Sequence, residues 1–302
     1  MPVPIIFVHK GDPYYLDFSL NQAHESSPGS AIYLVTDTIT NRYSFVNYVD
    51  MNLYSKGSEQ FAKIYKHQST NSYSNELFCF QRWFVIRDFS AEKKINDFLY
   101  LDSDLMLYCD AEKTFGKYSS FAFTVTKQIS PHCCYFGSHR HLSSFCDFVE
   151  RLYTDPVLVP RFEKKWEHHV KNDLPGGVCD MTAFFEYKND HPGCAKDLFE
   201  IANDETFDDN MNESDGFVMD ERGLKKIEFV NGAPYGTLKD AGKKIKFNNL
   251  HFQGRAKTFL PAFYTGNNLK KLKLRLKLDA YLKDRYYLHK AFSRLGYKSV
   301  NV

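Results

Sequence analysis

Asp102-Ser103-Asp104 interrupts an otherwise apolar run spanning residues 98–108. Two carboxylates one residue apart at the end of a buried segment are costly, because each anion loses hydration and repels the other. A divalent cation removes both penalties. Mg²⁺ and Mn²⁺ favour carboxylate oxygens, and Mg²⁺ is often shared with substrate phosphates, so the triplet points to a metal–diphosphate site. Asp-x-Asp alone is more often a solvated surface turn; the apolar walls on both sides shift the reading toward a site. A second group follows the apolar run 245–250: His251, Gly254 and Lys257. A neutral imidazole at a strand end can complete a metal shell begun by Asp104. Gly254 would let backbone N–H groups approach phosphate, and Lys257 would offset its charge. Without the two aspartates, a histidine satisfied within the core would be the better reading of His251. A third stretch, Leu174-Pro-Gly-Gly-Val-Cys-Asp180, has two glycines that permit close backbone approach to a ligand. Asp180 opens a predicted helix over 181–187, either as its N-cap or as a carboxylate facing the cleft.

The elements that must position these residues are legible from hydrophobic spacing. Short apolar runs predict strands at 5–9, 31–36, 45–49, 98–104, 120–126 and 245–250. Helical spacing predicts helices at 14–24, 56–65 and 76–89. Strand–helix alternation implies an α/β fold, a mostly parallel central sheet covered by helices. Ligands of such sheets sit outside the carboxyl ends of the strands. His9, Lys10, Asp12, Asp37, Asp102 and Asp104 all fall at those ends, which gathers them into one donor-binding cleft, with Ser103 between the aspartates. The helix 76–89 carries Arg82 among Leu77, Phe78, Phe80, Trp83 and Phe84. A buried guanidinium needs an anion, either a structural carboxylate or a donor phosphate.

Other features bound the possibilities. The 302 residues, 43% hydrophobic and 25% charged, suit one large α/β domain or two small ones. Net charge +2 argues neither way on a polyanionic partner, and nucleic acid is not among the expected partners. Seven cysteines without Cys-x-x-Cys spacing suggest reduced thiols in a cytosolic protein. The start has neither a basic segment nor a long apolar one, so a cytoplasmic location is expected. His139-Arg140-His141 and His168-His169 lack zinc-like partners and read as solvated faces. Asp208, Asn210 and Asn212 imitate the start of a calcium loop, but Glu213 replaces the turn glycine and Met219 holds the twelfth position; the acidic stretch 203–216 reads as a solvated loop. Residues 267–302 hold ten Lys or Arg and two Asp, against 29 basic and 35 acidic residues upstream, so this extension is +8 and the remainder −6. Residues 271–278 alternate, which formally suggests a strand, although Lys and Leu are good helix formers. A helix is predicted over 279–295, stopped by Gly296. Such a basic extension either docks on the domain 1–266 or lies peripherally on an anionic membrane.

The paired motifs Leu101-Asp-Ser-Asp104 and His251-Phe-Gln-Gly-Arg-Ala-Lys257 resemble those of GT-A glycosyltransferases, in particular family eight, the lipopolysaccharide galactosyltransferases and glycogenin. Arg82 resembles the family's arginine on the helix before the Asp-x-Asp strand, and Asp180 loosely matches its mid-chain acidic motif. The resemblance spans residues 1 to about 260, by order and spacing. It departs at Thr258-Phe259, where the family has Pro-Trp. No Asn-x-Gly is evident near Phe136-Gly137, and Cys179-Asp180-Met181 stands for Asp-Gln-Asp. The resemblance implies transfer of a sugar from a nucleotide diphosphate donor, a UDP-sugar, to a hydroxyl of a glycan or glycolipid acceptor, with retention. It implies Mn²⁺ or Mg²⁺ held by Asp102, Asp104 and His251, with Lys257 and Asp180 as catalytic groups. Two other functions compete. A sugar-nucleotide pyrophosphorylase would want a Gly-rich, Arg-containing loop after the first strand, which His9-Lys-Gly-Asp-Pro13 matches poorly. A non-catalytic carbohydrate- or nucleotide-binding protein would not need intact Asp102, Asp104 and His251.

Overall fold

The computed structural model describes residues 2–278 and Tyr281. Strands β1 (Ile5–His9), β2 (Ile32–Thr36), β3 (Val46–Asp50) and β4 (Phe98–Leu101) run parallel, paired in the order β3-β2-β1-β4. Next come β5 (Leu105–Leu107), β6 (Phe123–Val125), β7 (Cys133–Phe136) and β8 (Ala195–Asp197). The sheet continues past β4 as β7-β6-β8, in which β7 alone is reversed. The α/β class and mostly parallel sheet match the sequence expectation. Residue numbers alternate between the two faces, as the pleat requires. Ile6, Val8, Tyr100 and Phe136 face α2 (Lys56–Ile64), α3 (Tyr73–Lys93) and α5 (His139–Thr154), whereas Ile5, Phe7, Leu101 and Tyr135 face α1 (Tyr14–Ser26) and α4 (Ala111–Phe115). Burial on both faces explains why β1 and β4 read as unbroken apolar runs.

A third apolar cluster joins Phe18 of α1 to the C-terminal part of the chain. There β9 (Glu205–Thr206), β10 (Ile227–Val230), β11 (Ala233–Thr237) and β12 (Lys244–Phe247) form a four-stranded sheet in the order β10-β11-β12-β9. Strand β13 (Asn249–His251) leaves it at Asn248 and pairs antiparallel with β5. The predicted strand 245–250 is thus two strands serving two sheets. The predicted strand 98–104 ends at Leu101, and a turn closed by the Leu105 N–H on the Asp102 carbonyl (3.1 Å) separates it from β5. Helices α5 and α6 (Val159–Lys171) and strand β7 were not predicted, whereas α7 (Asp180–Asp190) matches the helix predicted over 181–187.

Residues 269–278 are helical, against the alternation that suggested a strand. Tertiary packing decides the period: Leu272 is buried and Leu269 and Leu276 lie against the third cluster, which is helical spacing. Arg275 of this helix pairs with Asp12 and Asp17 of the domain, so at least its first turns are docked. The predicted helix 279–295 lies outside the described residues apart from Tyr281. No helix among the described residues is long and apolar enough to cross a membrane.

Candidate functional site

Register assembles the site. Phe7 of β1 is opposite Leu101 of β4, and His9 is opposite Thr36 of β2, so His9, Asp37 and Asp102 emerge at neighbouring carboxyl ends. His251 is opposite Leu105 across the β13–β5 ribbon, which sets it beside the Asp102–Asp104 turn. The Phe252 N–H closes the corner on the Asp104 carbonyl at 3.0 Å. Reversed strand β7 contributes from below, its entry residue His132 accepting the Asp102 N–H at 2.8 Å.

The donor atoms of Asp102, Asp104 and His251 all lie within 4.8 Å of one another. His251 Nε2 is 3.5 Å from Asp104 and 3.9 Å from Asp102. Its Nδ1 meets the Asp209 carbonyl at 2.6 Å, which fixes Nδ1 as the protonated nitrogen and aims Nε2 at the carboxylates. Two carboxylates and an oriented imidazole from separate elements form a donor set that suits Mn²⁺ or Mg²⁺. The second hydrogen bond on the imidazole is what metal-ligating histidines show. Burial pulls the His251 pKa down, but its bond to Asp104 and the charges of Asp104 and Asp102 pull harder, raising it to about 9. Burial works against the Asp104 anion too, yet His251 and Lys257 hold its pKa well below the usual carboxylate range. The pair demands positive charge at Nε2, from a proton or from a cation.

Lys257 Nζ lies 3.0 Å from Asp104, and Asp104 raises the lysine pKa against the opposing effect of burial. The lysine is carried by a 3₁₀ helix, Gly254–Ala262, that begins at φ +54 on Gly254. The glycine serves that left-handed backbone; a Cβ there would meet only open space. His9 Nδ1 is 2.9 Å from the Ser103 hydroxyl. Burial lowers the His9 pKa despite nearby Asp104, so the ring is neutral at pH 7. Lys10 sits over the Phe78 ring at 4.5 Å, and Asp37 accepts the Gly11 N–H at 2.6 Å. Asp12 pairs with Arg42 and Arg275, beside Asp17.

Arg82 has the anionic partner its burial requires, and the partner is double. Nη1 binds Asp102 and Nη2 binds Asp180, each at 2.6 Å, with the side chain 12% exposed. This favours the structural-carboxylate alternative over the phosphate contact. Tyr100 completes the support, accepting from Arg82 at 2.7 Å and donating to Asp102 at 2.5 Å. Asp180 also accepts the Trp83 indole N–H at 3.0 Å. It is the first residue of α7 and not its cap; Cys179 is the cap, and its N–H meets Thr182 Oγ1 at 3.3 Å. The close approach made by Gly177 is to protein, since a Cβ there would lie 2.3 Å from the Gln68 carbonyl.

The acidic stretch 203–216 is the main correction. Its ends are exposed, but its middle is not in solvent: Thr206, Phe207, Asp208, Asn210 and Met211 are buried. Asp208 is fully buried against fully buried Lys225 at 2.7 Å, and its other oxygen accepts the His251 N–H at 2.9 Å. His132 stacks flat on His251 with centroids 4.1 Å apart, and burial holds its pKa well below normal. Sequence reasoning missed Tyr100, Trp83, His132, Asp208 and Lys225. Tyr100 had a signal, since strand period two sets it on the face of Asp102. Lys225 had none, lying 17 residues from Asp208.

No protein-family model matches the sequence, and no curated protein sequence matches it. Among solved structures, mouse xyloside xylosyltransferase 1, in its apo form, is similar over 68% of this chain and 87% of its own, with 10% identity and a TM-score of 0.49. The galactosyltransferase LgtC, in complex with donor and acceptor sugar analogs, is similar over 89% of this chain and 95% of its own, with 11% identity and a TM-score of 0.44. The glycosyltransferase GlyE of Streptococcus pneumoniae TIGR4 covers 67% of this chain over 46% of its own, with 13% identity and a TM-score of 0.34. All three scores lie below 0.5.

Proposed function

We propose that the protein is a glycosyltransferase that moves a sugar from a nucleotide diphosphate, a UDP-sugar, to a hydroxyl of a glycan or glycolipid. The observation that carries this reading is the convergence of Asp102, Asp104 and His251, all within 4.8 Å, with Lys257 at 3.0 Å from Asp104. Those three residues would hold Mn²⁺ or Mg²⁺, which when bound neutralises the diphosphate as a leaving group. Lys257, one-third exposed, meets the negative charge that grows on the leaving oxygens. Asp180, held in place by Arg82 and Trp83, stabilises positive charge on the sugar carbon. Neutral His9, with Ser103 and Asp37 at adjacent strand ends, binds the nucleoside side of the donor. Arg82 fixes the two carboxylates and does not touch phosphate. The family resemblance supports retention, which NMR of the product anomer tests.

Thermal shift with a panel of nucleotide sugars, with and without Mn²⁺, tests the donor. A ligand at 100 times its Kd stabilises by about 2.7 kcal/mol, so a UDP-sugar should raise Tm when Mn²⁺ is present and not in its absence. UDP release from that donor then separates transfer from binding. Formation of UTP on adding pyrophosphate would favour the pyrophosphorylase, and binding without UDP release the non-catalytic reading.

Exposed Leu274, Leu278 and Tyr281 recur at helical spacing, flanked by exposed Lys270, Lys271, Lys273 and Lys277. This supports peripheral contact with an anionic membrane beside a lipid-linked acceptor. Co-sedimentation with phosphatidylglycerol vesicles but not with phosphatidylcholine vesicles is the expected outcome; equal recovery with both would contradict it.

A further inference from the structure

Lys225 and Asp208 are the most deeply buried ion pair among the described residues, each side chain fully enclosed. Taking two charges out of water is repaid only where the geometry is good and further hydrogen bonds complete both groups. Here they do. Lys225 Nζ donates to Asp208, to Asp215 and to the Asn210 carbonyl, each at 2.7 Å. A structure that needed only apolar packing at this point would use apolar side chains, so what the pair holds is the informative question.

It holds the backbone of residues 208–211 against β13. Asp208 Oδ2 accepts the His251 N–H at 2.9 Å, and the Asn249 side chain closes on the Asp208 backbone, accepting its N–H at 2.8 Å and donating to its carbonyl at 3.1 Å. His132 Nε2 donates to the same carbonyl at 2.9 Å. On the far side the Met211 N–H reaches the His251 carbonyl, and the Lys225 N–H the Met211 carbonyl, both at 2.9 Å. Between these anchors lies Asp209, whose carbonyl accepts from His251 Nδ1. That single bond selects which nitrogen of His251 faces Asp102 and Asp104.

We infer that the buried Lys225–Asp208 pair is a positioning device for the metal site: it clamps the Asp209 carbonyl against His251 Nδ1 so that Nε2 is presented as a ligand. The inference rests on the metal reading of Asp102, Asp104 and His251. Lys225 and Asp208 touch neither substrate nor metal in this scheme and act only through the imidazole. Loss of such support beyond the ligands typically weakens metal affinity about 10–100-fold.

The test replaces both charges with apolar groups of similar size, Asp208→Leu with Lys225→Met, so that neither is left buried alone. Mn²⁺ binding is measured by electron paramagnetic resonance on the full chain, with UDP present, beside the melting temperature of the metal-free protein. The expected result is a variant that melts as a folded protein yet binds Mn²⁺ at least tenfold more weakly. Wild-type Mn²⁺ affinity in the folded variant overturns the positioning role and leaves the metal site standing. No Mn²⁺ binding by the wild-type protein overturns the metal reading and this role together. Where the double change does not fold, Asp208→Asn is read by the same criterion, because Lys225 then keeps Asp215 and the Asn210 carbonyl. Nitrogen-15 chemical shifts of His251 in the metal-free protein, recorded above the imidazolium pKa of about 9 where the ring is neutral, add a readout that packing alone would not move. One fixed tautomer in the variant contradicts the clamp, and a mixture of two supports it.

Discussion

Two charged pairs lie on either side of His251, the carboxylates Asp102 and Asp104 and the ion pair Asp208–Lys225, and their surroundings differ. Asp104 meets Lys257, which reaches it from the cleft and is 33% exposed, while Asp102, itself 24% exposed, is held from behind by buried Arg82. Asp208 and Lys225 are sealed, both at 0%. In the first pair one compensating charge, that of Lys257, stays accessible to solvent and can be exchanged for that of a ligand. In the second, compensation is permanent and the pair is free only to hold its neighbours still. His251 belongs to both, taking its orientation from the sealed side and offering Nε2 to the open side. Carboxylates become a binding site where their countercharge can be exchanged, and a scaffold where it cannot.

Breaking the open side should have the largest effect. Asp104→Asn and His251→Ala should each abolish Mn²⁺-dependent UDP binding by calorimetry while the metal-free protein still melts cooperatively. Unchanged affinity in both would remove the metal assignment. Asp180→Asn comes next. The amide oxygen can still accept from Arg82 and Trp83, and Cys179 rather than Asp180 caps α7. Melting temperature and donor affinity should therefore hold while transfer activity is mostly lost; full turnover in a stable Asn variant would take Asp180 out of the mechanism. Lys257→Ala should lower kcat by about 10²–10³-fold, the usual loss for one transition-state donor, with KM little changed. A rise in KM at unaltered kcat would make Lys257 a binding residue only.

The smallest effect sharpens the sealed side. Lys127 pairs with Glu213 at 2.6 Å and with Asp215 on the rim of the 203–216 segment, and it is 29% exposed. Pairs at such a rim contribute about 0–1 kcal/mol, so Lys127→Ala should shift the melting temperature by less than about 4 °C and leave Mn²⁺ affinity within threefold. A loss comparable to that of the double change at Asp208 and Lys225 would mean that the clamp extends to the surface.

The same contrast explains what could be read from the chain. β1, β2 and β4 were legible because burial on both faces leaves continuous apolar runs, and Asp102 and Asp104 because charge interrupts such a run. His251 and Lys257 followed from local order. The 203–216 segment was misread because acidic residues usually lie in solvent and the lysine that buries them is contributed from position 225. Arg82 signalled that it needed an anion but not which one, since Asp102 and Asp180 reach it from 20 and 98 residues away. The helix 269–278 was ambiguous because alternating Lys and Leu fits both periods until Leu269, Leu272 and Leu276 find the third cluster.

The central claim is that Asp102, Asp104 and His251 make one cation-dependent diphosphate site. Calorimetric titration of UDP into the wild-type protein, once with saturating Mn²⁺ and once with EDTA, addresses it most directly. Saturable one-site binding with Mn²⁺ and none with EDTA is the predicted result. Equal UDP affinity in both titrations, or no binding in either, would contradict it.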